Sequence, residues 1–193
     1  YNSMVILDNN LKVLSKYNKN KLVPFGEFLP LEKFFKKIGL KKITQGYISF
    51  SAADERKILL IENIRFLPLI CYEIIYSGKI NKNDEEFDFI VNISEDGWFG
   101  NSIGPYQHFS HSIFRSIEEG KNLIRSTNGG ISAYVDAVGN VVDEIKSTDK
   151  GVIEVESYKK TSKTFFSGYG NKIFFYFLIF YITFIFFIKK KRR

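Results

Sequence analysis

The sequence predicts a mixed α/β domain followed by a single apolar helix at the C-terminus. Two patterns predict the domain. Short runs rich in β-branched and aromatic residues recur between turn residues from Tyr1 to about Glu156, and the stretch PYQHFSHSIFRSIEEGKNLIR carries apolar residues at helical spacing. The third observation is Ile173–Ile188, IFFYFLIFYITFIFFI, a run without charge in which Thr183 is the one clearly polar member.

Taken in order, MVIL and LKVLSKY read as two strands joined by Asp8-Asn9-Asn10, a cluster suited to a hairpin turn. PLEKFFKKIGL predicts a short amphipathic helix opening at Pro30, a favourable first helical residue. KILLIEN and IRFLPLICYE form a second strand pair, followed by FDFIVNIS. The consecutive apolar residues of the last two suit central strands covered on both faces. The long helix has Phe109, Ile113 and Ile117 on one face, with Leu123 and Ile124 extending it. ISAYVDAVGNVVDEI alternates around Gly139-Asn140 as another hairpin, and GVIEVES closes the domain as a strand. SYKKTSKTFFSGYGNK then leads towards a membrane, with Phe165, Phe166 and Tyr169 at the interface. The expected organisation is a domain over residues 1–160, a linker over 161–172, a transmembrane helix over 173–188 and a basic tail over 189–193.

Charge supports this division. The formal net charge is +7, but KKKRR at the end supplies five of those charges, and removing them leaves an ordinary +2. No Lys/Arg cluster interleaved with aromatics lies elsewhere, so a nucleic-acid partner is not expected. The single cysteine excludes an internal disulfide and any multi-cysteine metal site. Ile173–Ile188 spans about 24 Å as a helix, short of a hydrocarbon core of about 30 Å. Lys172 and Lys189 can snorkel outward to bridge the difference, and Tyr176 and Tyr181 tolerate partial polarity. The positive-inside rule puts Lys189 to Arg193 in the cytoplasm and the folded domain on the opposite side. The chain opens at Tyr1 directly on an apolar run, which suggests the C-terminal portion of something longer.

Three stretches place reactive or backbone-shaping residues at strand ends: YNKNKLVPFGEFLPLE, ICYE and SEDGWFGNSIGPYQH. In the first, Pro24 and Gly26 break the strand before Glu27. Glu27 is then either a solvated turn carboxylate or the fixed partner of Lys19, whose ammonium suits a developing oxyanion. In the second, Cys71 reads as a small buried apolar residue or as a nucleophile. Glu73 would share a strand face with Cys71 and could take its proton, and the Tyr72 backbone N–H is a natural oxyanion donor. His108 and His111 lie in the helical stretch, where packing or surface positions are the simpler reading, which disfavours a Cys–His pair. In the third, Gly97 and Gly100 flank Trp98 and Phe99, so the only tryptophan is either core or the wall of a pocket. Glu95 and Asp96 read equally well as turn carboxylates.

In order, YNKNKLVPFGEFLPLE, ICYE, WFGNSIGPYQH and RSTNGGISAYVDAVG resemble the C-terminal half of the apolipoprotein N-acyltransferases, a membrane-anchored family within the nitrilase (carbon-nitrogen hydrolase) superfamily. The resemblance covers nearly the whole chain. It implies an αββα sandwich and a Glu-Lys-Cys triad, with Cys71 the nucleophile and Lys19 the oxyanion-stabilising lysine. It further implies supporting roles for Glu27 and Glu73, a backbone donor at Tyr72, and a substrate-binding aromatic loop at Trp98 and Phe99. The triad's glutamate and the other membrane helices are then expected upstream of Tyr1. Glu95 departs from the asparagine-like residue usual in that family, which bears on the shape of the Trp98 loop.

The implied chemistry is ping-pong transfer. Cys71 takes an acyl chain from a phospholipid such as phosphatidylethanolamine, and the amino group of a diacylglyceryl cysteine on an apolipoprotein receives it. The resemblance implies no metal and no dissociable cofactor. Its setting is the bacterial inner membrane, with the catalytic domain periplasmic and the C-terminus cytoplasmic. A membrane-tethered nitrilase-type amidase and an inactive truncated module are the competing readings.

Overall fold

The computed structural model describes residues 1–31, 37, 49–78, 80–81, 85–155 and 158–191. Strands β1 (Ser3–Leu7) and β2 (Val13–Asn18) form an antiparallel two-stranded sheet. Asp8 sets its turn, its Oδ1 accepting from the N–H groups of Asn10 and Lys12 at 2.8 Å each. Six further strands form the main sheet in sequential order: β3 (Leu59–Ile61), β4 (Ile64–Ile70), β5 (Phe89–Glu95), β6 (Asn122–Asn128), β7 (Ser132–Val135) and β8 (Val141–Ile145). The three central strands, β4, β5 and β6, are parallel, and the outer pairings are antiparallel. Helix α1 (Gly104–Glu119) crosses between β5 and β6; α2 (Phe165–Tyr169) and α3 (Lys172–Lys191) close the chain.

Alternation along the strands feeds two cores. Leu67, Leu69, Ile90, Leu123, Ala133 and Val135 face the side that carries Phe109 of α1. Phe66, Ile70, Phe89 and Tyr134 face the other side, packed with Met4 and Tyr17 of the small sheet. A helix, a large sheet and a second sheet therefore stack in layers, and the apolar runs of β4 and β5 follow from burial on both faces.

Several expected elements are corrected. The long helix does not reach Arg125: Gly120, at φ +63°, ends it with its N–H on the Ile117 carbonyl, and Asn122–Asn128 is strand β6. Leu123 and Ile124 thus point to opposite faces of a sheet instead of extending a helix face. The buried face of α1 is also largely polar, comprising His108, Ser112, Arg115, Ser116 and Glu119, while Ile117 is 43% exposed. GVIEVES is no strand over its described residues: Ile153 and Val155 pack against the Phe66–Phe89 core outside the ladder. The strand through ICYE stops at Ile70, and Cys71–Ile75 is a 3-10 turn. The linker contains α2. The helix expected over PLEKFFKKIGL lies outside the described residues except at Pro30, Leu31 and Lys37.

Helix α3 is exposed on all sides, and Lys172–Lys190 is long and apolar enough to cross a membrane. It connects to the domain through α2, whose Ser167 hydroxyl donates to Glu119 Oε2 at 2.5 Å. Burial pushes the Glu119 carboxyl above its ordinary value of 4.5, outweighing the Ser167 bond. A raised carboxyl contributes stability below its ordinary pKa and loses it as pH rises through the folded value. Glu119→Gln keeps the acceptor for Ser167 but cannot ionise. Urea denaturation at a series of pH values above 4.5 is expected to show stability falling in the wild type more steeply than in Glu119→Gln.

Candidate active site

The parallel strands end side by side, with Ile70 opposite Ile93 and Glu95 opposite Asn128. In open α/β sheets the carboxyl ends of such strands are where ligands sit, because the crossovers diverge there and leave a crevice. A cavity of about 1310 Å³ lies at these ends. The loops after β4 and β5, the first turns of α1 and the segment after β2 all reach it. Lys19, Glu27, Cys71, Tyr72, Trp98 and Phe99, widely separated in sequence, line it together. Among the described residues, no cluster of His, Cys, Asp or Glu could hold a metal ion.

Cys71 is the first residue after β4 and has φ +51°, a left-handed conformation that costs a non-glycine residue about 1–2 kcal/mol. It is partly exposed: its side chain lines the cavity and also packs against the Phe66–Phe89 core. Glu73 is fully buried and is absent from the cavity wall. Its carboxylate turns back and accepts from the Ile70 N–H at 2.8 Å, the Tyr17 hydroxyl at 2.8 Å and the Asn20 and Lys21 N–H groups at 3.0 Å. The strand face that Glu73 was expected to share with Cys71 is lost because the chain turns at Cys71. Burial first, and the Glu73 charge second, push the Tyr17 hydroxyl well above the ordinary phenol range, so it remains a donor.

Lys19 is 1% exposed, and its Nζ lies 2.8 Å from Glu27 Oε2. Glu27 also accepts from the Val23 N–H at 2.8 Å and the Asn2 side chain at 2.6 Å. A solvated turn glutamate is thus excluded. The pair fixes an ammonium at the cavity wall, the arrangement that charge stabilisation requires.

Trp98 is 68% exposed, so it is not a core residue. Glu95 shapes its loop, accepting from the Gly97 N–H at 2.9 Å and from Asn128 at 2.6 Å. Asp96 is no ordinary turn carboxylate. It is fully buried, with Oδ2 accepting from Arg125 at 2.7 Å and Oδ1 from Ser94 at 2.6 Å and His108 Nδ1 at 2.8 Å. Burial would raise Asp96, but the His108 hydrogen bond, the Arg125 charge and Ser94 together hold it below the ordinary value. Arg125 sits opposite Asn92 in the β5–β6 register and donates to its side-chain oxygen. Gly130 packs directly on Asp96, where a Cβ would come within 2.5 Å of Oδ2.

His108 and His111 also line the cavity, though the helical spacing pointed to packing or surface positions. The two histidines lie three residues apart in the helical stretch, and no local pattern ties them to the cavity. Arg125 was hidden by its assignment to a helix, where a charge is unremarkable; inside a buried strand it demands a partner.

The fold places the chain among nitrilase-type α/β proteins. XC1258 from Xanthomonas campestris, a CN-hydrolase superfamily protein, has a TM-score of 0.53 at 16% identity, covering 76% of this chain and 53% of its own. An amidase from Nesterenkonia sp. has a TM-score of 0.51 at 16% identity, covering 75% and 51%. The chain belongs to the carbon-nitrogen hydrolase family, whose sequence model matches residues 1–161. It is similar to proteins named apolipoprotein N-acyltransferase: 39% identical to that of Rickettsia prowazekii over 89% of this chain, and 39% identical to that of Rhizobium rhizogenes over 80%. It spans 34% and 29% of the length of these two relatives.

Proposed function

We propose that the chain is the C-terminal part of a membrane enzyme that transfers an acyl chain from phospholipid to the N-terminal diacylglyceryl cysteine of apolipoproteins. The observation that carries this reading is the cavity itself. Cys71 and the Lys19–Glu27 pair open into a space larger than the ~300–1,000 Å³ of ordinary small-ligand pockets, beside the exposed Trp98 and Phe99. A small soluble amide needs neither that volume nor an apolar rim, whereas a lipid chain uses both.

In this reading Cys71 Sγ attacks the ester carbonyl of the donor. Lys19 Nζ and the Tyr72 N–H stabilise the tetrahedral oxyanion, and lysophospholipid leaves a thioester on Cys71. The acceptor amine then attacks the thioester, forming the amide and freeing the thiol. Glu27 fixes Lys19, Glu73 fixes the turn that presents Cys71, and Trp98 and Phe99 contact the lipid. The base that deprotonates Cys71 is a glutamate upstream of Tyr1. Helix α3 anchors the domain on the periplasmic side of the inner membrane, with the basic end in the cytoplasm.

The test is to incubate the full-length enzyme with labelled phospholipid and analyse Cys71 by mass spectrometry. An acyl thioester is expected, discharged by a diacylglyceryl-cysteine peptide. A strict amidase would give no lipid-derived thioester. The 193-residue chain alone is expected not to turn over; measurable transfer by it, abolished by Cys71→Ala, would overturn the assignment of the base to an upstream residue.

A further inference from the structure

Among the described residues, five buried side-chain polar atoms have no hydrogen-bond partner: Arg56 Nε, His108 Nε2, Arg115 Nε, Glu118 Oε2 and Glu119 Oε1. Of these residues only His108 lines the Cys71 cavity. The imidazole is 5% exposed, and leaving a buried nitrogen unpaired costs about 1–3 kcal/mol. An orphaned atom on a residue that lines a reactive cavity points to a group that arrives with substrate.

The ring's surroundings fix what Nε2 offers. Nδ1 lies 2.8 Å from Asp96 Oδ1 and 3.2 Å from an Arg125 nitrogen. A carboxylate only accepts, and Asp96 Oδ1 is the nearer partner of Nδ1. Nδ1 therefore carries the hydrogen and donates it to Asp96, and in the neutral ring Nε2 is then a bare lone pair. Asp96 cannot rotate away, because Arg125, Ser94 and the Gly130 backbone hold it. Phe99 packs on the imidazole at 5.6 Å between centroids, so the aromatic loop and the histidine form one wall. A rigid acceptor selects a ligand with an N–H or O–H to give.

We propose that His108 Nε2 binds the amino group of the acceptor and aims its lone pair at the Cys71 thioester. This rests on the acyltransferase reading and concerns only its second half-reaction. The phospholipid ester brings no N–H to its reacting carbonyl, whereas the acceptor amine does. As the amine nitrogen bonds to the acyl carbon, the C–S bond breaks and the electron pair returns to Cys71 Sγ. The nitrogen's surplus proton is taken up at Nε2 and passes to the departing sulfur, restoring the thiol and a neutral imidazole. Asp96 keeps the ring in place throughout, so His108 acts on the substrate and Asp96 acts as a positioning residue.

The experiment uses the full-length enzyme in detergent micelles and separates the two half-reactions. In His108→Asn the side-chain amide still donates towards Asp96, but nothing stands at the Nε2 position. Thioester formation from phospholipid is expected to stay within about threefold of wild type, while discharge by a diacylglyceryl-cysteine peptide slows about 100-fold, the usual size of a positioned acid–base group. Hydroxylamine, a reactive neutral nucleophile, is expected to discharge the variant's thioester at the wild-type rate. His108→Gln, whose carboxamide reaches the Nε2 position, is expected to discharge to the peptide at least about tenfold faster than His108→Asn. Equal slowing of both half-reactions, or of peptide and hydroxylamine alike, would mean a structural role and overturn the proposal; so would unimpaired transfer to the peptide. If His108→Asn does not fold, full peptide transfer by His108→Phe, which cannot hold an amine, overturns it, and selective loss supports it. A wild-type enzyme that forms no lipid-derived thioester defeats the underlying acyltransferase reading, and the role of His108 with it.

Discussion

Glu73→Gln is expected to destabilise the domain by about 3–5 kcal/mol, the range for removing one partner from a buried charged network, and to lower Tm by roughly 6–20 °C. The substitution is nearly isosteric, so the effect isolates hydrogen-bond polarity. Every partner of the carboxylate is a donor: Oε1 accepts from Tyr17, Asn20 and Lys21, and Oε2 accepts from the Ile70 N–H and Tyr17. An amide NH₂ in either orientation faces at least one donor across about 3 Å. If it replaces Oε2, the Ile70 N–H is left unpaired immediately before Cys71; if it replaces Oε1, two backbone N–H groups are. Arg56, 3.6 Å from Oε1, also loses its counter-charge. Thermal denaturation followed by circular dichroism measures the loss. Ultraviolet titration of Tyr17 is expected to move down towards the ordinary phenol value, because the neighbouring negative charge is gone while burial remains. An unchanged Tm would show that Glu73 does not hold the turn.

The same carboxylate explains what was legible in the sequence. The paired runs around β3 and β4 and the runs of β1, β2 and β5 were readable because apolar alternation or continuity is itself the burial pattern. Strand β6 was not, because Leu123 and Ile124 fit a helical face as well as a strand. The decisive signal, Gly120 as a left-handed cap, competes with a helix period that continues beyond it. Cys71, Lys19 and Glu27 were singled out as reactive types at strand ends, and all three line one cavity. Glu73 was placed beside the thiol on strand geometry, which fails because the chain leaves β conformation at the cysteine itself. His108, Asp96 and Arg125 were out of reach, since their meaning depends on the β5–β6 register that sets Arg125 against Asn92. No local pattern encodes a register between segments more than thirty residues apart.

Asp96→Asn and Arg125→Met are each expected to cost about 3–5 kcal/mol, because either leaves a buried charge without its partner. Asn at 96 faces Arg125 without a negative charge; Met at 125 leaves the carboxylate with only Ser94 and His108. The double variant removes both charges and is expected to cost less than the two single changes together, by about 1–3 kcal/mol of coupling. Urea denaturation of the four proteins measures this cycle. The pH dependence gives a second reading with a definite sign. Asp96 is held below its ordinary value of 3.8, so its contribution is present above that pH and is lost as pH falls through the folded value. Asp96→Asn is therefore expected to be less sensitive to acid than wild type although less stable at neutral pH. The consequence reaches the cavity: with Asp96 neutral, the Nδ1–H of His108 no longer meets a charged acceptor. Strict additivity in the cycle, together with an unchanged acid limb, would mean that the buried pair is not a coupled unit and that the imidazole is held by packing against Phe99 alone.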